Sequence, residues 1–592
     1  MENSPEIIKN RKEWIYILFA ILLALFIPII MTSVTYMTYT TTDDSYLMQV
    51  IAGYFNDRPM EWVPFLSPIL TKFIALLYKI FPNEYCYVYL QLIILTISVS
   101  IINYSIFRKI KNIECKHIFI YGLIICFLFD VILCWTFVRM HFYYVSVIAG
   151  TAALSIVLTA NFTKKQHYII HLLSVLFMFF ICICWSIDVG YVLICFISLG
   201  AIYRAIKPKT IDKKFLLFAC ILIFSCLLFV FASTYILKSE RNKYSGKEYS
   251  EWNAYRVSYW DYPTPSYNDN IALYNSINWS EDFFKLTQKM YFMDKKFSIN
   301  ELSKIVDQYN MIGSTSDNRT FQDALHTGKQ LILNNKAALG MFILMCCITL
   351  SSIFFLTKEK QQIIKIFFSL CCFFISGALC FHLAYRNRFP LRAFVPIAIP
   401  CVTFLLFNYM EIFSEYNMHL VKKNSNYTLQ HNKFIINIIS ILIIVVSYYA
   451  YSINIYNYLT DYTTEKYYIT EKEKEHIIYD YVSNNKSNIY VYDWTILGTY
   501  DPFPELKIGS LSNLFCWGGA RLYTYPYNEQ LKLNGLNTLF SEDFICDNVY
   551  FISNSETNIE LLYKYLSNEY DVESYQIIEE LEYGFKIINF SN

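Results

Sequence analysis

Long runs of apolar residues recur along this chain, and a helix that crosses a bilayer needs about 20 of them. Eleven segments meet or approach that length: 14–35, 86–107, 118–138, 142–160, 168–187, 189–203, 215–237, 337–357, 366–385, 393–410 and 434–459. The sixth, 189–203, is short enough to be tilted or partly re-entrant, and its loss would invert everything downstream. A further run, FLSPILTKFIALLYKIF over 65–81, has apolar residues at helical spacing but is interrupted by Lys72 and Lys79, which suits a helix lying in the interface. The first run is too long for a cleaved signal peptide, and no small-residue cleavage site follows it.

Charge in the connecting stretches orients these spans. With the N-terminus inside, the cytoplasmic stretches hold 20 Lys and Arg, whereas the short outer ones hold 7: Arg58, Lys72, Lys79, Arg139, Arg386, Arg388 and Arg392. The positive-inside rule then places three pieces outside: 36–85, the long loop 237–336, and the tail 461–592. The tail alternates a helix over 471–484, strands over 488–492 and 548–552, a helix over 558–566, and a closing strand pair over 575–578 and 585–589. The expected fold is a polytopic α-helical membrane protein of about 11 spans, with a transmembrane domain over 1–460 and a small external α/β domain over 461–592.

Composition sharpens this picture. The chain is 55% hydrophobic and 16% charged, well below the charge of a soluble domain at about 25%. A net charge of +1 leaves no basic field for nucleic acid. Most of the 17 cysteines lie inside apolar runs as packing residues; only Cys86, Cys516 and Cys546 fall near or beyond the outer surface, and a Cys516 to Cys546 bridge is left open. The tail has no GxGxxG or P-loop glycine pattern, so it carries no sign of a nucleotide site.

Candidate chemistry begins directly behind the first span, in Tyr39-Thr-Thr-Thr-Asp43-Asp44-Ser-Tyr-Leu-Met-Gln. On a purely structural view, Thr42 or Asp43 caps a helix beginning near Ser45. An apolar span, then an acidic pair, then interfacial helices, a multi-span bundle and an external C-terminal domain together resemble the membrane glycosyltransferases of the GT-C superfamily, which includes protein mannosyltransferases and aminoarabinose transferases. The resemblance covers the architecture of most of the chain, and its sequence core is the single motif Asp43-Asp44. It implies transfer of a sugar from a polyprenyl phosphate, outside the plasma membrane, to a glycan, lipid or protein acceptor of the cell envelope. The long-loop segments Trp252-Asn-Ala-Tyr-Arg256-Val-Ser-Tyr-Trp260-Asp261-Tyr262 and Met293-Asp294 also look like a pattern in bacterial relatives of that superfamily.

The chemistry of such a transfer needs a carboxylate within reach of the acceptor hydroxyl and cations for the departing phosphate. Asp43 and Asp44 are the candidate catalytic acids, with Asp43 favoured as base because it matches the first acid of the family pattern. Adjacent acids raise each other's pKa, while a helix N-terminus lowers both. A divalent cation held between them is left open. The phosphate site is expected from Arg386, Arg388 and Arg392, three arginines in one short outer loop, with Arg139 and His141 as a second outer cationic spot. Their alternative role is to pair with tail acids or lipid headgroups. Asp188, Arg256, Trp260 and Asp261 are candidate sugar or acceptor contacts, although the aromatic residues of the long loop suit a membrane-interface belt equally well. Asp130, inside the third run, needs a partner or a wet cavity. His117, His167 and His171 are too scattered for a metal cage. The competing functions are a surface-polysaccharide polymerase or ligase, and a transporter or lipid-linked glycan flippase, for which the missing internal repeat counts against.

Overall fold

The computed structural model describes the chain outside residues 1–4, 111–117, 161–164, 207–211, 263, 309–319, 355–359, 387–388, 423–444, 446–448, 450, 454, 458, 460–464 and 495–500. Helix α1 (Pro5–Val34) leads into strand β1 (Thr38–Tyr39) and helix α2 (Thr42–Ala52). Gly53 stops α2: it sits at φ 83°, and a Cβ there would lie 2.5 Å from the backbone of Arg58. Next, α3 (Pro68–Ile80) is opened by the Ser67 hydroxyl, which accepts from the Ile69 N–H, and by Pro68 in its first turn. It buries Leu70, Ile74 and Tyr78 and leaves Ile69, Phe73, Leu76 and Ile80 exposed, an apolar stripe of the kind that rests in a membrane interface.

A full-length α4 (Cys86–Ile110) follows. The third run departs from expectation: instead of one span it forms α5 (Ile118–Leu133), 16 residues and short for a bilayer, then the single turn α6 (Trp135–Val138) and strand β2 (Arg139–Met140). Helices α7 (Phe142–Thr159), α8 (Lys165–Trp185) and α9 (Ile187–Ala205) come next, so the doubtful sixth run is a 19-residue helix. Helix α10 (Lys213–Trp260) runs 48 residues, far past its apolar part, with a break at Gly246. The long loop continues through α11 (Ile271–Ser276), α12 (Glu281–Gln288), α13 (Ile299–Gln308) and α14 (Phe321–Asn334), and the bundle closes with α15 (Lys336–Phe354), α16 (Lys360–Tyr385) and α17 (Leu391–Lys422). Among the described residues nine helices are long and apolar enough to cross a membrane, which makes the chain a polytopic helical protein. The eleventh expected span, 434–459, lies mostly outside the described residues.

Two helices form the centre of the bundle. The apolar windows of α17 and α7 are 94% and 89% buried, against 12% for α1. Ser146, Ala149, Gly150, Ala152, Ala153 and Ser155 keep α7 narrow, so α4, α8, α9 and α17 all approach it closely. At the far end of α17, Glu411 accepts from Tyr203 and from Lys109, and pairs with Lys365 at 3.2 Å and Arg204 at 3.5 Å. Lys365 also pairs with Glu415 at 2.5 Å. Opposite charges inside a low-dielectric bundle must be paired in this way. Asp130 likewise has a structural partner, the Asn103 side chain, which donates to it at 2.9 Å.

The tail is an α/β unit: α18 (Glu465–Asn484), β3 (Ile489–Tyr492), β4 (Leu514–Cys516), α19 (Tyr525–Leu533), β5 (Val549–Ser553), α20 (Glu556–Tyr570), β6 (Ser574–Glu580) and β7 (Lys586–Ser591). Its five strands lie in the order β4-β3-β5-β7-β6, with β3 parallel to β4 and β5 and the rest antiparallel. Cys516 is buried, Cys546 is exposed, and both are free thiols.

The tail does not stand apart from the long loop. The two share an aromatic core that includes Trp252, Tyr259, Trp279, Phe297, Trp517 and Phe551. The Phe292 N–H donates to the Trp517 carbonyl at 2.9 Å, and a Cβ on Gly518 would collide with the Met290 carbonyl oxygen, so only glycine lets the strands of chain approach there. The first loop joins the same body: the Gly509 and Leu511 N–H groups donate to the carbonyls of Gly53 and Tyr54 at 2.9 and 2.8 Å.

Candidate active site

Strand β1 pairs in parallel with β2, Thr38 opposite Arg139 and Tyr39 opposite Met140, and this two-stranded clamp brings the start of α2 against the start of α7. The Thr40 hydroxyl adds a bond to the Arg139 carbonyl at 3.0 Å. The acids therefore occupy the first turn of α2 rather than its cap. The helix begins at Thr42, and Thr41 at the cap position makes no side-chain capping bond, which corrects the expected start near Ser45.

The two acids face different surroundings. Asp44 is fully buried, and its Oδ1 accepts from the Tyr87 hydroxyl at 2.9 Å, the Gln91 amide at 3.1 Å and the Phe142 N–H at 3.0 Å. Burial is the largest influence on its acidity and pushes the pKa up to about 8; the three donors oppose this, and the charge of Asp43 adds to it only secondarily. Repulsion from the adjacent acid is thus a minor part. Asp43 is only about a third exposed, and its Oδ2 accepts from the Arg392 Nη1 at 2.8 Å. The pair divides into a carboxyl held near neutrality inside the fold and a carboxylate facing a guanidinium at its edge. Three donors thus meet Oδ1 of Asp44, and Arg392 meets Oδ2 of Asp43. Among the described residues no group of three or more His, Cys, Asp or Glu is placed to hold a metal.

Of the expected cations, Arg392 and Arg139 reach this place. Arg139 is buried and its Nη1 donates to Thr38 Oγ1 at 2.8 Å. His141 lies beside them, fully buried, with Nδ1 3.7 Å from Asp44 Oδ2. Its Nδ1 accepts from the Tyr143 N–H at 3.0 Å and so caps α7. Burial first, then the charges of Arg392 and Arg139, hold its pKa well below the usual value. His141 thus serves as the cap of α7 through Nδ1. Arg386 is exposed at the end of α16, and Arg388 lies outside the described residues. Asp188 is exposed and accepts from the Tyr143 hydroxyl at 3.2 Å, and the Tyr143 ring stacks on His141, so this acid stands at the rim of the cluster.

Arg256, Trp260 and Asp261 sit at the end of α10 among the residues of the second core. Arg256 is buried and donates to Asn253 at 3.0 and 2.9 Å, and Trp260 packs edge-on to Phe292. Sequence reasoning did not single out Tyr87 or Gln91, although a polar Gln91 one turn beyond Tyr87 in an apolar span is a legible signal. It also missed Arg521. This buried guanidinium lies 4.4 Å from the ring centre of Tyr46 in α2 and donates to the Tyr492 hydroxyl at 2.6 Å. It stands at the carboxyl end of β3, where the tail sheet reverses its strand order and α/β sheets present their crevice.

Comparison of the chain with family models, curated proteins and solved structures finds no match.

One consequence of the Asp44 geometry is measurable directly. Its pKa rises on folding from the ordinary 3.8 to about 8, so the native state binds the proton more tightly. The contribution of Asp44 to stability is full below about pH 4 and is lost progressively as pH rises toward 8, by at most about 1.4 kcal/mol per pH unit. Asparagine is neutral and keeps an Oδ1 acceptor for the three donors. Asp44→Asn is expected to fold and to lose this part of the decline between pH 5 and 8, read by thermal unfolding in detergent. A variant that declines in parallel with wild type would show that Asp44 is already charged.

Proposed function

We propose that the protein is an integral-membrane glycosyltransferase that moves a sugar from a polyprenyl phosphate to a hydroxyl of a cell-envelope acceptor on the outer face of the membrane. The observation that carries this reading is the 2.8 Å contact between Asp43 and Arg392, residues 349 positions apart in sequence. It puts a base candidate and a phosphate-binding candidate in the same place, beside the buried Arg139. The acceptor oxygen forms a bond to the anomeric carbon as the bond from that carbon to the phosphate oxygen breaks. The hydroxyl proton passes to Asp43, and the departing phosphate keeps the electron pair and is held by Arg392.

Arg392 meets Asp43 through Nη1, which leaves its other N–H groups to reach a donor phosphate beside that carboxylate. A charge-assisted bond of this kind is worth about 1.5–3 kcal/mol. Arg392→Gln is therefore expected to raise the KM for a polyprenyl-phosphate sugar by roughly 10- to 100-fold, with Arg392→Lys recovering part of the loss. Fold stability should change little, since an ion pair this exposed contributes about 0–1 kcal/mol. An unchanged donor KM in Arg392→Gln would leave the arginine as a tether between α2 and α17 and remove the phosphate reading.

A further inference from the structure

Between the long loop and the tail lies an open cleft of about 360 Å³, within the size range of small-molecule sites. Trp252 and Tyr249 form its floor, Tyr523 and Phe540 stand half-buried in its wall, and Glu248 and Asn528 offer an acceptor and an amide at its edge. Tyr523 meets Trp252 edge to face with ring centres 4.8 Å apart. Its backbone is left-handed, with φ 62°, a conformation that a bulky residue keeps only where its surroundings impose it and that gathers at functional sites.

The chemistry of the lining selects an occupant. Lys295 also reaches the cleft, but its Nζ is paired with Glu542 at 2.6 Å, so no uncompensated cation waits for a phosphate. A fully apolar segment would bury Glu248 and Asn528 without partners. Aromatic rings bordered by hydrogen-bonding groups of both kinds suit a neutral ring with one C–H face and a rim of hydroxyls, which is a pyranose. The loop that supplies Tyr523 also supplies Arg521, seated on Tyr46 of α2, and the Tyr249 hydroxyl donates to the carbonyl of Ala520, just before Arg521, at 3.3 Å. The cleft is thus tied through one short loop to the helix that carries Asp43.

We propose that this cleft, walled by Tyr523, Phe540 and Trp252, binds a neutral saccharide segment of the acceptor glycan. The identity of that segment as acceptor rests on the glycosyltransferase reading; saccharide binding itself does not. The test is binding to full-length purified protein, by fluorescence anisotropy, of end-labelled oligosaccharides two to four units long built from glucose, galactose, mannose, N-acetylglucosamine or rhamnose. At least one should bind saturably. Tyr523→Gly removes the ring while relieving the left-handed backbone, so it should fold and weaken that binding about tenfold; Phe540→Ala gives a second reading of the same wall. Failure of every oligosaccharide to saturate, or unchanged affinity in both variants, overturns the proposal. Asp43→Asn should bind the oligosaccharide as wild type does. Binding together with full transfer by Asp43→Asn would leave the cleft standing and remove the proposed base, whereas lost transfer with no oligosaccharide binding would remove the cleft alone.

Discussion

Purified Asp43→Asn protein is expected to lose about 10² to 10⁴ of its transfer rate while unfolding at the wild-type temperature. Asparagine preserves the shape at the first turn of α2 and still offers an oxygen to Arg392, but it cannot take a proton from an acceptor hydroxyl at neutral pH. The contact it weakens is about one-third exposed, and such pairs contribute about 0–1 kcal/mol, too little to unfold the loop. A structural tether and a general base therefore separate by orders of magnitude in rate. Asp44→Asn is the matched control: if Asp44 works as a neutral, buried positioning group, its amide substitutes for it and most of the rate survives. Full activity of Asp43→Asn on a polyprenyl-phosphate sugar would remove the transferase mechanism. A loss at Asp44 alone would move the base by one residue.

How far this arrangement was readable before folding depends on the kind of signal. Apolar run length is local, and among the described residues nine helices of membrane-crossing size follow it closely, including the short sixth run. Over 118–138 it gave no sign of the turn at Cys134 or of strand β2 behind it, where Arg139 meets Thr38. The tail strands announced themselves by β-branched and aromatic runs, but β4 is only three residues long and gives no periodicity to detect. Asp43 and Asp44 were visible as a pair. Their division into a buried and a paired acid was not, because it depends on Gln91, Phe142 and Arg392, which come from three different helices. The capping of α7 by His141 was likewise not visible. Glu411, which gathers Lys109, Arg204 and Lys365, shows the same limit: each residue looked like an ordinary loop-proximal charge until the helix ends converged.

The largest stability effect is expected at Asp294, in the long loop. Its side chain is completely buried, and Oδ2 accepts from the hydroxyls of Ser541, Tyr565 at 2.7 Å and Tyr570 at 2.9 Å, while Oδ1 accepts from the Lys296 N–H at 2.8 Å. Three of these four donors belong to the tail. A single carboxylate thus joins two stretches of chain whose sequence separation is about 250 residues or more, inside a core they share. Asp294→Ala strips the acceptor from hydroxyls that are largely sealed from water, and each orphaned group costs about 1–3 kcal/mol, so a total near 3–5 kcal/mol is expected. The loss should be confined to the body formed by the long loop and the tail, because the bundle helices take no part in this network. Limited proteolysis and hydrogen exchange should then show α12, α13, α20 and β5 losing protection together while α7 and α17 keep theirs. Asp294→Asn, which retains an oxygen for the Lys296 N–H and leaves hydroxyls free to rotate toward its amide, should lose less. Loss of protection in the tail alone, with α12 and α13 unaffected, would mean that the tail folds independently and that Asp294 does not unite the two.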